Sequence, residues 1–172
     1  MLTLESSPAV IILVNVLAWT VVNLLSGYIA SILPASLFRP CSWWYKPRAF
    51  EQGGRLYRRI LAVRLWKRLL PDGGNFFGNG FQKKRLAQPR DSGYYRVFAV
   101  ETCRAEFTHN VGILSSLLFF AWNHWSIALW MIPYALAVNL PCIIAQRYNR
   151  PRLLRMAEAL ERREWPENEA RQ

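Results

Sequence analysis

The chain has 172 residues, with 22 Lys and Arg against 11 Asp and Glu, a formal net charge of +11, 52% apolar residues and 14% aromatics. That apolar and aromatic content excludes a disordered basic tail, and the length suits one domain. Two runs free of Asp, Glu, Lys and Arg, 33 residues at 6–38 and 40 residues at 107–146, exclude an ordinary soluble domain, because a bilayer accommodates such runs directly.

The first predicted element is a crossing at 8–33, ended by Pro34. A helix needs about 20 apolar residues to cross about 30 Å of hydrocarbon, so this run has some excess for tilt. It lacks the basic n-region of a signal peptide and is longer than the usual apolar core of one, so an uncleaved anchor is expected. Next comes a basic segment, 39–102. Trp43, Trp44 and Tyr45 open it like an interfacial aromatic belt. Gly53 and Gly54 precede a predicted helix over 55–70, stopped by the turn at 71–74. Leu56, Ile60, Val63 and Leu70 share one side of that helix, and Arg58, Arg64 and Arg68 share the other. An in-plane amphipathic helix at the inner leaflet fits this pattern, with Lys67, Leu61 and Leu65 as exceptions. Residues 75–93 read as a loop.

The 40-residue run is too long for one crossing and long enough for two. Its break is the polar stretch 122–126 between interfacial tryptophans, which predicts crossings at about 103–122 and 126–146. Pro133 and Pro141 predict kinks in the last one. A tail, 147–172, carries a surface helix after Pro151, supported by Glu158 and Arg162 at i,i+4 spacing. Residues 39–105 hold fifteen Lys and Arg against four Asp and Glu, and the tail holds seven against five. Three crossings place both basic regions in the cytoplasm and the N-terminus outside, as the positive-inside bias requires. The expected fold is therefore an all-α membrane protein. It forms a single membrane domain over 1–172, multi-pass in the cell membrane, with about three transmembrane helices and a basic cytoplasmic segment containing an interfacial amphipathic helix.

The cysteines Cys41, Cys103 and Cys142 are odd in number and fit neither a zinc site nor a disulfide framework, so free thiols are expected. The entry of the second crossing holds the most informative residues. On a helix, Thr102, Glu106 and His109 share one face. A carboxylate beside an imidazole is the working pair of a general base, and ionisable groups at a membrane helix end face a bundle or cavity more often than lipid. A charged, capped helix end with an interfacial histidine reads the same way. One Glu-x-x-His is half of a di-iron set, but the only other histidine, His124, falls at the opposite end of the crossing; no metal site is expected. Arg147, Arg150 and Arg152 follow the last crossing, as anion ligands or as a stop-transfer cluster. The membrane explains the sign of the charge, so nucleic acid is not an expected partner.

At these motifs the chain resembles the glycosyl-4,4'-diaponeurosporenoate acyltransferase family. The resemblance is carried by Tyr45-Lys46-Pro47, Phe50-Glu51, Gly54, Val63-Arg64-Leu65-Trp66-Lys67, Pro71-Asp72-Gly73, Glu101-Thr102, Arg104-Ala105-Glu106, His109 and the block Gln146 to Leu153. Residues 75–93 and the hairpin around His124 depart from that pattern. The resemblance implies transfer of a fatty acyl group to a sugar hydroxyl of a glycosylated carotenoid or related glycolipid. The donor substrate would be acyl-CoA or an acyl carrier, with no bound cofactor and with membrane lipids as surroundings. In that frame His109 is the expected base, Glu106 orients its ring, and Asp72 supports catalysis or binds the sugar. Arg104, Arg147 and Arg150 are expected on donor phosphates or on the thioester oxygen, with Trp66, Lys67 and Asn149 also on the substrate. The His-x4-Asp acyltransferase signature is absent, since Leu114 stands five residues after His109. Two other readings are open at this stage. One is a non-enzymatic membrane subunit or assembly factor that docks through the basic face. The other is a small membrane transferase or reductase acting on an isoprenoid.

Overall fold

The computed structural model describes residues 7–70 and 91–169. Asp72, the turn at 71–74 and most of the loop read at 75–93 lie outside the described residues. Among the described residues the chain is helical, without a strand. Helix α1 is Pro8–Ile32, α2 is Arg55–Arg59, α3 is Val63–Trp66, α4 is Ser92–Ser115 and α5 is Trp125–Glu169.

Helix α1 starts on Pro8 and stops where Leu33 turns extended before Pro34, the conformation a residue preceding proline favours. Its buried residues are Asn15, Trp19, Ser26 and Ala30, whereas Leu13, Val16, Leu17, Val21, Leu24 and Leu25 are exposed. The same inversion marks α5. There Ala128, Ala135 and Asn139 are buried and Leu129, Trp130, Leu136 and Val138 face outward. Small and polar residues inside with large aliphatics outside is the arrangement of helices packed in lipid. Among the described residues two helices, Pro8–Ile32 and Trp125–Arg163, are long and apolar enough to cross a membrane.

Helices α4 and α5 form an antiparallel pair. Phe119, just beyond α4, clusters with Ala135, and Tyr95, Phe98 and Ala99 of α4 pack on Leu153 and Ala157. Arg96 and Glu161 close the far end with a bridge of 2.6 Å. Helix α1 lies alongside this pair. Asn15 and Asn123 exchange amide hydrogen bonds of 3.0 and 2.9 Å, and Trp19 stacks on Phe119 with centroids 4.7 Å apart. At the other end of α1, Arg104 donates to the carbonyls of Ala30 and Leu33. That guanidinium satisfies carbonyls a helix C-terminus leaves unpaired and complements its dipole.

Three expected boundaries are corrected. The helix expected at 103–122 begins at Ser92, where the Asp91 carboxylate accepts from the Tyr94 N–H at 2.7 Å, and it becomes a 3-10 helix over Ser116–Ala121. Charged Arg96, Glu101 and Arg104 break the apolar run there, but Tyr95, Phe98, Ala99 and Thr102 keep a buried helical face. The crossing expected at 126–146 and the separate tail helix are one unbroken helix, α5, which passes through Pro133, Pro141 and Pro151. Tertiary packing holds a proline-containing turn that the local rule would end: Pro151 is buried beside Gly54. The amphipathic helix expected at 55–70 is instead α2, α3 and a 3-10 turn at Lys67–Leu69, broken by Ala62 at φ +45°. The break lets Val63 enter a fully buried position with Tyr57 and Tyr148, while Trp66 Nε1 donates to the Leu61 carbonyl at 2.7 Å. Ile60, Leu65 and Leu69 are left exposed on this segment together with Trp43 and Trp44, an apolar surface suited to a membrane interface.

Candidate active site

Where α4, α5 and the 44–57 segment meet, two carboxylates and two guanidiniums form a buried network. Glu106 projects from α4, and Arg147 and Arg150 project from the facing turn of α5. The Glu106 carboxylate accepts from Arg147 Nε at 2.8 Å and from Arg150 Nη2 at 2.6 Å. Arg147 Nη1 reaches Glu51 at 2.7 Å, and the Tyr57 hydroxyl donates to that same carboxylate at 3.0 Å. Arg150 Nε donates to Thr102 Oγ1 at 2.9 Å. The outer N–H groups fasten the aromatic belt by its backbone: Arg147 donates to the Trp44 carbonyl at 3.1 Å and Arg150 to that of Tyr45 at 2.7 Å. Glu51, Glu106 and Arg150 are 1–2% exposed. Charges this buried persist only when paired and hydrogen-bonded, and here the charges balance. Burial, and then Glu51, pushes the Tyr57 phenol up, so it remains a donor.

One turn further into the apolar bundle stands His109, half-buried. Its Nδ1 is 2.9 Å from Asn139 Oδ1. The Asn139 amide nitrogen donates to the Ala135 carbonyl at 2.9 Å, which turns Oδ1 toward the ring. An acceptor facing Nδ1 makes Nδ1 the protonated nitrogen of the neutral imidazole and Nε2 the lone pair. Gly112 permits this approach, since a Cβ there would lie 2.9 Å from Asn139 Oδ1.

The structure thus brings Glu106, Arg147 and Arg150 together and places His109 one turn away on the same helix. Arg104 stands apart at the end of α1, held also by Glu101 at 3.1 Å. Lys67 donates to Asn149 Oδ1 at 2.9 Å and lies over the Tyr148 ring; burial, then Arg152, Arg64 and Arg68, holds its pKa below the usual lysine value. Trp66 packs against the Tyr57, Val63 and Tyr148 cluster. His124 lies at the opposite end of the bundle, with Nδ1 2.8 Å from Ser126 Oγ. Among the described residues no group of three or more His, Cys, Asp or Glu could hold a metal ion. Sequence reasoning missed Glu51, Tyr57 and Asn139 as site residues. Asn139 had a signal: an amide in the middle of an apolar run seeks a partner inside the bundle.

Among the described residues, a helical fold with two membrane-length helices and a buried ionic cluster beside an oriented histidine is compatible with a small membrane-associated enzyme. Residues 41–159 match the family described as glycosyl-4,4'-diaponeurosporenoate acyltransferase, and the chain belongs to that family and is an acyltransferase. A protein of that name from Staphylococcus aureus strain bovine RF122 / ET3-1 is 32% identical over 145 residues, 84% of this chain and 87% of the relative. The one from strain N315 is 32% identical over 147 residues, with the same coverage. No solved structure shows a significant match. Membership in an enzyme family sets aside the non-enzymatic subunit.

Proposed function

We propose that the protein transfers a fatty acyl group from a thioester donor to a sugar hydroxyl of a glycosylated carotenoid, or a closely related glycolipid, held in the bilayer. The observation that carries this reading is His109: its Nδ1 faces a fixed amide oxygen, which makes Nε2 the basic nitrogen of the ring, at the polar end of an apolar bundle. In the reaction His109 Nε2 accepts the proton of the sugar hydroxyl as that oxygen attacks the thioester carbonyl carbon. The C–O bond forms, the C–S bond breaks, and the imidazolium returns its proton to the departing thiolate. Asn139 is the positioning residue for the ring. Glu106 acts one step further out, because its oxygens hold Arg147 and Arg150 and so fix the α4–α5 register that carries His109 and Asn139. Arg104 fixes the end of α1 in the same way. Lys67 and Asn149 belong to the donor side, beside Arg64 and Arg152. Expression in a bacterium that accumulates the unacylated carotenoid glycoside is expected to convert it to a fatty ester, read by lipid mass spectrometry. Unchanged glycoside would refute the assignment.

The proposed topology has three crossings: α1, residues 107–122 and α5 to residue 146. A 3-10 helix rises about 2.0 Å per residue against about 1.5 Å in an α-helix. The 3-10 turn at Ser116–Ala121 thus stretches residues 107–121 to about 25 Å, close to the hydrocarbon thickness of about 30 Å. Both basic segments then lie in the cytoplasm. Cys41 is exposed whereas Cys103 and Cys142 are buried, which gives a direct readout. A membrane-impermeant maleimide is expected to label Cys41 in inside-out vesicles and not in intact cells. A cysteine placed at exposed Ser126 is expected to give the reverse, and labelling of Cys41 in intact cells would refute this topology.

A further inference from the structure

Beyond the ionic network, on the same end of the molecule, lies an open cavity of about 430 Å³ whose walls, among the described residues, carry Arg55, Arg58, Arg64, Arg152 and Arg155 and no carboxylate. Arg55 and Arg58 are three apart on α2, and Arg152 and Arg155 are three apart on α5, so each pair shares a helix face. Two residues draw these faces together. Gly54, at φ +90°, lies so close to α5 that a Cβ would sit 3.1 Å from the Tyr148 carbonyl. Arg155 donates to the Gly53 carbonyl at 3.2 Å. Among the described residues Arg55, Arg58 and Arg64 have no hydrogen-bonding or ion-pair partner. All five guanidiniums border this one open cavity, Arg152 held by the Tyr148 hydroxyl and Arg155 by the Pro151 and Gly53 carbonyls, and planar guanidinium forks suit phosphate oxygens. The volume falls within the about 300–1,000 Å³ of small-molecule sites.

At Arg152 and Arg155, position along α5 favours a soluble phosphate over a lipid headgroup. Arg152 and Arg155 lie about 9–14 Å beyond Gln146 along α5, further than a headgroup layer of about 5–8 Å. Arg152 is also about 20 Å along α5 from Asn139, the partner of His109. A ligand that places its phosphates here and its reacting carbon at His109 needs a long flexible arm between the two, as a pantetheine thioester has.

We propose that this cavity holds the phosphates of the acyl donor and that the donor is a coenzyme A thioester, with the diphosphate and 3'-phosphate among the five arginines. The proposal rests on the acyl-transfer reading above and adds the donor's chemical class and its residues.

The test uses the full-length protein in detergent and measures equilibrium binding of CoA and 3'-dephospho-CoA, together with acyl-transfer kinetics. The unaltered protein is expected to bind CoA about 10-fold more tightly than dephospho-CoA, the equivalent of one charge-assisted phosphate contact. Arg58→Gln and Arg64→Gln, both at exposed positions, are each expected to raise the CoA Kd and the acyl-CoA KM about 10-fold with kcat retained. Arg162→Gln, outside the cavity, is expected to change neither. Equal affinity for CoA and dephospho-CoA, or arginine variants that bind CoA like the parent, would overturn the proposal. So would variants that keep CoA binding but lose binding to phosphatidylglycerol vesicles, since the cavity would then serve a lipid headgroup. Activity with an acyl carrier protein and none with acyl-CoA would overturn it as well. Arginine-dependent CoA binding without acyl transfer would instead refute the acyl-transfer reading and leave the site standing. Acyl transfer indifferent to the arginines would do the opposite.

Discussion

His109→Gln is expected to lower acyl transfer by about 10²- to 10⁴-fold, the usual contribution of a positioned general base. Glutamine can still meet the Asn139 amide, and His109 is only half-buried, so the variant is expected to fold and insert with an unchanged melting temperature. The loss should fall on kcat, with the donor KM unmoved, because the base acts on the acceptor hydroxyl in the transition state. Asn139→Leu is expected to give a smaller loss and an altered pH–rate profile, since the ring remains but loses the amide oxygen that faces Nδ1. Gly112→Ala should resemble it without touching the imidazole, because its Cβ would press on Asn139 Oδ1 at 2.9 Å. Undiminished kcat in His109→Gln would remove the histidine from the chemistry.

Glu106→Leu is expected to fail by another route, loss of the folded state. Removing the carboxylate leaves Arg147 Nε and Arg150 Nη2 without the oxygens they now meet at 2.8 and 2.6 Å. Breaking one side of a buried ionic network costs about 3–5 kcal/mol, a large part of the roughly 5–15 kcal/mol that holds a domain folded. Thermal unfolding in detergent should show a strong decrease in melting temperature and in the yield of folded protein. Glu106→Gln keeps an acceptor and should lie between the two. Arg96→Ala, which removes an exposed pair with Glu161 at 54% and 39% side-chain exposure, should change little, because solvent and entropy cancel most of such a bridge. A Glu106→Leu protein as stable as the parent but inactive would move Glu106 from the scaffold into catalysis. The two variants therefore separate chemistry from architecture: one keeps the fold and loses the rate, and the other loses the fold.

Much of this architecture was legible in the residues because long charge-free apolar runs leave few options besides long helices. The charge-free run at 6–38 and the stop at Pro34 mark α1 within a residue or two, and the charge-free run at 107–146 reports a hairpin folded at Trp122 to His124. Elements outside the apolar runs were harder to read. The first eleven residues of α4 were hidden by Arg96, which is exposed and paired with Glu161, and by Glu101, which pairs with Arg104 beside the end of α1. The passage of α5 through Pro151 and the left-handed Ala62 both depend on packing against neighbours that no local rule contains. In the site, Glu106, His109, Arg147 and Arg150 stood out by spacing and by family motif. Their pairing did not, because it is set by how α4 and α5 register against each other. That register sends the Glu106 oxygens to the two arginines and gives His109 the amide of Asn139. Glu51 and Tyr57 join only because the 3-10 helix Ala49–Gly54, just before α2, folds back on the same point.

The most direct measurement supplies the purified protein, in lipid, with a glycosylated carotenoid and acyl-CoA labelled in its acyl chain. The account predicts that label moves into a glycolipid ester, is released as free fatty acid by mild alkali, and stays at background when His109→Gln replaces the parent protein. Label that remains on CoA with both proteins, or that reaches the sugar equally with both, would contradict it.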